Sequence, residues 1–190
     1  MKRNFDIDLD FADRDQVLNL LEHTPASQWR NGQLVKHNTG VYVTEVPKDP
    51  ILGICSIDYQ QAEELGYVKL DMLNMSVYQQ VRDPDHLKQL LDKTPNWQRL
   101  RDRSFVEQVV HIGNHWDLLQ RMPEPVDSIA RMAMFLAVIR PAKRHLAGKN
   151  WREVAQTVWE KPSDGGYGFK HSHSLAYAHL VVVHMNLLEE

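Results

Sequence analysis

Residues 5–11, "FDIDLDF", alternate apolar and acidic side chains without a break. Alternation of period two sorts side chains onto the two faces of a strand. Phe5, Ile7, Leu9 and Phe11 are therefore expected toward a core, with Asp6, Asp8 and Asp10 together on the other face. Side chains two apart along a strand stand only about 7 Å from each other. Carboxylates at that spacing repel. A divalent cation relieves the repulsion better than solvent does, because Mg²⁺ favours hard oxygen ligands in a compact octahedron. The competing reading is an edge strand guarded by charge. Asp10 is expected to mark the strand end or the start of the following helix.

The pattern beyond the strand changes character once. "DRDQVLNLLEH" repeats Val17, Leu20 and Leu21 at helical spacing and is expected to end by Pro25, with "SQWRNGQ" as a turn or loop. Strands are expected over 40–46, 52–58 and 66–73, the last placing Lys69 and Asp71 on one face and Val68, Leu70 and Met72 on the other. After about residue 76 the period becomes helical. "DPDHLKQLLDK", "SFVEQVVHIG" (with a capping box of Ser104 and Glu107), "VDSIARMAMFLAVIR", "NWREVAQTVWE" and "SLAYAHLVVVHMNLLE" all read as helices. The spacing predicts an α+β chain with a small sheet lobe over 1–75 and a mostly helical lobe over 76–190.

Composition narrows the function. The 190 residues carry 43% hydrophobic and 25% charged side chains and a net charge of −3, so the chain is globular and is no basic nucleic-acid coat. Contact with nucleic acid must come from local patches. One comprises Arg140, Lys143, Arg144, His145, Lys149 and Arg152; a second comprises Lys170, His171 and His173, after the glycine-rich "DGGYGF". Glycine turns allow a backbone to approach phosphate, and basic side chains beside them supply charge-assisted hydrogen bonds. A plain helix connection is the simpler reading of that turn. The single Cys55 excludes an internal disulfide and suits a reducing cytosol, so a cytoplasmic location is expected. The basic start of the chain runs into an acidic strand, unlike a signal peptide. The most apolar tract is short and carries His179 and His184, which argues against a membrane span. Zinc is disfavoured by the lone cysteine despite ten histidines. The methionines of "RMAMFLAV" and most of the tryptophans are expected in the core.

Several motifs together resemble the C-family bacterial replicative DNA polymerases, the DNA polymerase III alpha subunits. "FDIDLDF" followed by "RDQV" looks like the palm motif of that family, in which a strand of alternating aspartates runs into an Arg-Asp-Gln-Val helix. "HNTGVYV" (37–43) is similar to its His-Ala-Gly-Gly-Val-Val strand. "GYVKLDMLNM" (66–75) is similar to the strand carrying its third aspartate. "DSIARMAMFLAVIRP" resembles the fingers helix that ends in Arg-Pro-Gly-Pro, and "GYGFKHSHSLAYAHL" resembles a Gly-Tyr-Gly-Phe segment followed by Ser-His-Ser. The five occur in the family's order and leave about 76–122 unmatched.

The resemblance implies that the sheet is mixed, in a palm-like lobe of the polymerase beta-like nucleotidyltransferase kind, and that the helical lobe is fingers-like. It implies Asp6, Asp8 and Asp71 as catalytic metal ligands for two Mg²⁺ (or Mn²⁺). It implies Lys69, Arg140, Lys170 and His173 as nucleotide-binding residues; Arg140, between an amphipathic helix and Pro141, is expected as an exposed side chain leaving the helix end. The partners implied are primer-template DNA and dNTP, and the activity is addition of dNTP to a primer 3′-hydroxyl. The family's Gly-Ser-rich palm segment has no counterpart in 1–190, and Arg-Pro-Ala-Lys replaces Arg-Pro-Gly-Pro. The expectation is a miniature, of a size that suits a phage, or half of a split enzyme completed by another polymerase subunit. The alternative is a non-catalytic replication protein that keeps this core and binds DNA, nucleotide or a replisome component.

Overall fold

The computed structural model describes residues 7–161 and 169–190. Phe5, Asp6 and the glycine turn at 165–168 lie outside the described residues. The chain is α+β and divides into two compact units, 1–80 and 81–190.

The first unit is built on a four-stranded mixed sheet. Strand β1 (Ile7–Phe11) leads into helix α1 (Arg14–Leu20). The helix is capped by Asp13, whose Oδ1 accepts the amide hydrogens of Asp15 at 3.0 Å and Gln16 at 3.3 Å. Asp13, not Asp10, thus serves the helix start. Strands β2 (Thr24–Arg30) and β3 (Gln33–Tyr42) then form a hairpin. The turn or loop expected over "SQWRNGQ" is a turn at its centre, with strand on both sides. Asn31 and Gly32 make its two-residue turn with φ of 52° and 75°, the left-handed pair that matches strand twist. Pro25 sits inside β2, at the bulge between Pro25 and Ser27, and does not end α1.

The strand expected over 52–58 is replaced by a turn. Asp49 Oδ1 accepts from the amides of Ile51 and Leu52, both at 2.8 Å, so local hydrogen bonds win over a ladder there. Only isolated bridges remain, Lys48 with Cys55 and Ser27 with Asp58. Helix α2 (Tyr59–Glu64), capped by Asp58, leads to β4 (Leu70–Asn74). The sheet order is β1-β4-β3-β2, with β1 parallel to β4 and the other neighbours antiparallel. Fully buried Ala26, Tyr42, Cys55 and Ala62 form a small core on which Val46, Ile57 and Tyr67 pack.

Strand β1 is an edge strand, and that corrects one expectation. Ile7 and Leu9 are 39% and 36% exposed, because an edge strand has a neighbour on one side only. Phe11 is half-buried. The unit runs past the expected boundary at 75 because the turn after β4 is tied back to β1. Met75 N–H donates to Phe11 O at 2.8 Å, and Gln79 Nε2 donates to Ala12 O at 3.1 Å.

The second unit is helical: α3 (Pro84–Asp92), α4 (Arg103–Val106), α5 (Trp116–Gln120), α6 (Ile129–Val138), α7 (Trp151–Thr157) and α8 (His171–Leu187). Helix α6 is buried along Met132, Ala133, Phe135 and Leu136, and it packs against Ala178, Val181 and Met185 of α8. Ser174 Oγ donates to Ala133 O at 2.5 Å across that interface. Asn186 Nδ2 donates to Leu90 O and Lys93 O, both at 2.8 Å, and fastens α8 to the end of α3. The expected capping box at Ser104 is displaced by a better cap. Asp102 Oδ1 accepts from the amides of Ser104 and Phe105, and Glu107 pairs with Arg103 at 2.8 Å instead. Met132 and Trp151 lie in the core as expected, whereas Trp29 of the first unit is exposed. Among the described residues no helix is long and apolar enough to cross a membrane.

Three imidazoles of this unit are held toward their neutral forms. Burial pushes His111, His115 and His184 below the usual histidine range, with Arg140 adding to the shift at His111 and Arg144 and Arg140 at His115. His184 Nδ1 also accepts the Val110 amide hydrogen at 2.9 Å, a role that needs its lone pair. A histidine depressed in the fold favours the native state above its unfolded value, and that stability is lost as pH falls below about 6.5. Four of the five tryptophans lie in this unit, so their fluorescence follows its unfolding. The urea midpoint read this way should fall between about pH 7.5 and pH 5.5. A midpoint that holds level or rises would contradict neutral, buried imidazoles.

Candidate functional site

The parallel pairing of β1 with β4 places Asp8 directly opposite Asp71. Register partners on parallel strands project to the same face, and the strands lie about 4.8 Å apart. On the other side of β4, Gly40 of β3 is the register partner of Asp71. Asp71 therefore stands between a carboxylate and a residue with no side chain.

Gly40 is small for a reason the packing supplies. A Cβ there would lie 2.6 Å from Lys69 Cδ, 3.0 Å from His37 Nδ1 and 3.1 Å from Ala26 Cβ. The stem of Lys69 lies over Gly40, and its ammonium donates to Asp71 Oδ2 in a tight ion pair. Thr39 Oγ1 donates to Asp71 Oδ1 at 2.7 Å. Asp71 is 8% exposed, so these two partners carry most of its neutralisation and hydrogen bonding.

His37 backs the site without protonating it. Its Nδ1 accepts the amide hydrogens of Gly40 at 2.9 Å and Thr39 at 3.3 Å, so the ring's own proton belongs on Nε2. That Nδ1 lies 3.8 Å from Asp71 Oδ1. The imidazole meets Tyr59 edge-on at 5.3 Å, and the Lys69 ammonium stands 5.8 Å from the same ring's centre. Beneath them Tyr42 is fully buried, and its hydroxyl finds no hydrogen-bond partner among the described residues. Burial raises that phenol far above its ordinary range, with nearby Cys55, Asp58 and Asp71 adding to the effect.

Of the residues singled out in the sequence, Asp8, Lys69 and Asp71 come together in the first unit. Asp6 lies outside the described residues. Asp10 is exposed and opposite Leu73. Arg140, Lys170 and His173 belong to the second unit. Arg140 is not the exposed helix-end residue expected. It is half-buried with its guanidinium 4.3 Å above Phe169, and its Nε has no partner among the described residues. The 3₁₀ turn Pro141–Leu146 that starts at its neighbour turns the chain back onto the core. Lys170 is exposed at the cap of α8, and half-buried His173 follows in its first turn.

His37, Thr39, Gly40 and Tyr59 were not among the expected site residues. The stretch "HNTG" held the signal, since a glycine inside a strand often marks a close approach. Its target became visible only once β3 was paired with β4.

Asp8 and Asp71 offer the hard oxygen donors that Mg²⁺ or Mn²⁺ takes, and at Asp71 Oδ1 accepts from Thr39 and Oδ2 from Lys69. In the chemistry of their donors the two carboxylates suit such an ion. Among the described residues, no three His, Cys, Asp or Glu side chains converge to hold a metal. Comparison with protein-family models, with curated protein sequences and with solved structures gives no significant match.

The crowding at Gly40 gives a direct test. Gly40→Ala should cost about 1–3 kcal/mol of stability by overpacking Lys69 and His37. Urea unfolding of the two proteins measures it. An unchanged midpoint would show that the Lys69 stem is free to move aside.

Proposed function

We propose that the chain is a polymerase-like nucleotidyltransferase that adds dNTP to a primer 3′-hydroxyl on template DNA. Its sheet unit would act as a palm and its helical unit as fingers. The reading rests above all on the register of Asp8 with Asp71 on adjacent parallel strands. The same two aspartates match the carboxylates that the C-family polymerase resemblance assigns to metal. With Asp6 as a third ligand, they would hold Mg²⁺ or Mn²⁺ on one face of the sheet. Bound there, the ions would supply Lewis-acid activation of the hydroxyl and charge stabilisation on the transferring phosphate.

The protein's own groups have defined tasks in this reading. Thr39 fixes the rotamer of Asp71 by its hydrogen bond, and His37 fixes the backbone of Thr39 and Gly40. Lys69 carries a positive charge to the edge of the carboxylate pair, where a triphosphate oxygen would accept from it. Arg140, Lys170 and His173 are the nucleotide-binding residues that the resemblance assigns within the helical unit.

A second reading has one observation in its favour. Lys69 already neutralises Asp71, so that buried carboxylate is electrically satisfied without a metal. A non-catalytic replication protein that keeps the polymerase core and binds DNA, nucleotide or another replisome component would need no more.

Calorimetric titration of dNTP with Mn²⁺ separates the two. The enzyme reading expects binding that is lost in Asp8→Asn and Asp71→Asn, together with Mn²⁺-dependent extension of a primer. It also expects Arg140→Ala to weaken dNTP binding about ten- to a hundredfold, from loss of a charge-assisted contact. Because Arg140 is half-buried over Phe169, that variant should lose some stability as well. DNA binding by a wild type that takes up no dNTP would favour the non-catalytic reading.

A further inference from the structure

We infer that Lys69 is a built-in cation that competes with the divalent metal at Asp71, so that metal and ammonium exchange at one carboxylate. The inference rests on the metal reading proposed above and adds the order of events at that site.

The geometry leaves the ammonium little choice of place. The Lys69 stem is laid over Gly40, where even a methyl group would collide with Cδ. Its head is held by Asp71 Oδ2 on one side and faces the Tyr59 ring on the other. The side chains of Lys69 and Asp71 are 14% and 11% exposed, so water screens the pair poorly. Thr39 occupies Asp71 Oδ1 with a hydrogen bond that orients the carboxylate. A cation arriving at Asp71 therefore meets a second positive charge on the same group. Two unscreened cations at one carboxylate repel, and one must withdraw.

Withdrawal has a ready destination. The ammonium already stands 5.8 Å from the centre of the Tyr59 ring, whose face attracts cations. Releasing Asp71 Oδ2 also frees its hydrogen-bond donors for phosphate oxygens. The device thus stabilises the carboxylate while metal is absent and presents the lysine to nucleotide only after metal has bound. It sets the order: metal first, triphosphate second.

Mn²⁺ binding to the intact chain, followed by the electron paramagnetic resonance of the free ion, tests this without any catalytic readout. Lys69→Met keeps the stem over Gly40 and removes the charge, and it should bind Mn²⁺ roughly tenfold or more tightly than wild type. Lys69→Arg keeps the charge and should bind no more tightly than wild type. Melting curves give a second measure. Lys69→Met should melt lower than wild type without metal and gain more from Mn²⁺. Lys69→Gln serves the same comparisons if the methionine variant does not fold. Mn²⁺ binding by wild type with equal or weaker binding by the neutral variants would overturn the exchange and leave the metal site standing. Mn²⁺ bound by none of the proteins would overturn the metal reading itself and the exchange with it.

Discussion

A carboxylate that is 8% exposed on an inner strand needs a cation, and the first unit is organised around meeting that need for Asp71. Removing one partner of such a buried pair leaves an uncompensated charge, typically a loss of about 3–5 kcal/mol. Lys69 supplies the charge from two residues away. For its stem to lie flat, the facing position on β3 must have no side chain, and Gly40 stands there. For the carboxylate to point the right way, Thr39 must hold Oδ1, and the Thr39 amide is in turn held by His37. The sequence "HNTG" and the pair Lys69 and Asp71 are two halves of one arrangement, joined by the pairing of β3 with β4.

The same pairing explains how Asp8 comes to matter. As a lone edge strand, β1 would present alternating acids to solvent and do no more than discourage unwanted strand pairing. Its parallel register with β4 turns one of those acids into the neighbour of Asp71. Strand β1 is an edge strand of the sheet, and its register sets Asp8 beside Asp71. Asp10 is an exposed charge of the edge, and Asp8 belongs to the site.

The strand with alternating aspartates, the strand carrying Lys69 and Asp71, and the main helices were legible because their apolar periods are long and regular. Helix α8 was plain from its apolar run, and α6 from Met132, Ala133 and Leu136. Other features were hidden by local competition. Asp102 took the cap that Ser104 and Glu107 suggested, since an aspartate directly before the first turn accepts both free amides. Asp49 folded the start of the expected strand at 52–58 into a turn. The Asn31-Gly32 hairpin was legible in principle, and Pro25 obscured it by suggesting a helix stop where an irregular strand begins. The site was half legible. Aspartates and lysine carry charge that pattern reading finds, whereas Gly40 and His37 act through contacts across strands 30 residues apart in sequence, which no local window contains. Arg140 was misplaced for a related reason: the ring that covers it, Phe169, comes from beyond α7.

The divalent-cation site proposed at Asp8 and Asp71 has a direct structural readout. Paramagnetic broadening of backbone amide signals by Mn²⁺, added below one equivalent to the uniformly labelled chain, tests it most directly. The account predicts that the signals of Asp8, Gly40 and Asp71 vanish first, that loss spreads outward along β1 and β4, and that excess Mg²⁺ restores them. Broadening centred elsewhere, or spread evenly over exposed acids such as Glu63 and Asp83 while Asp71 and Gly40 stay sharp, would contradict it.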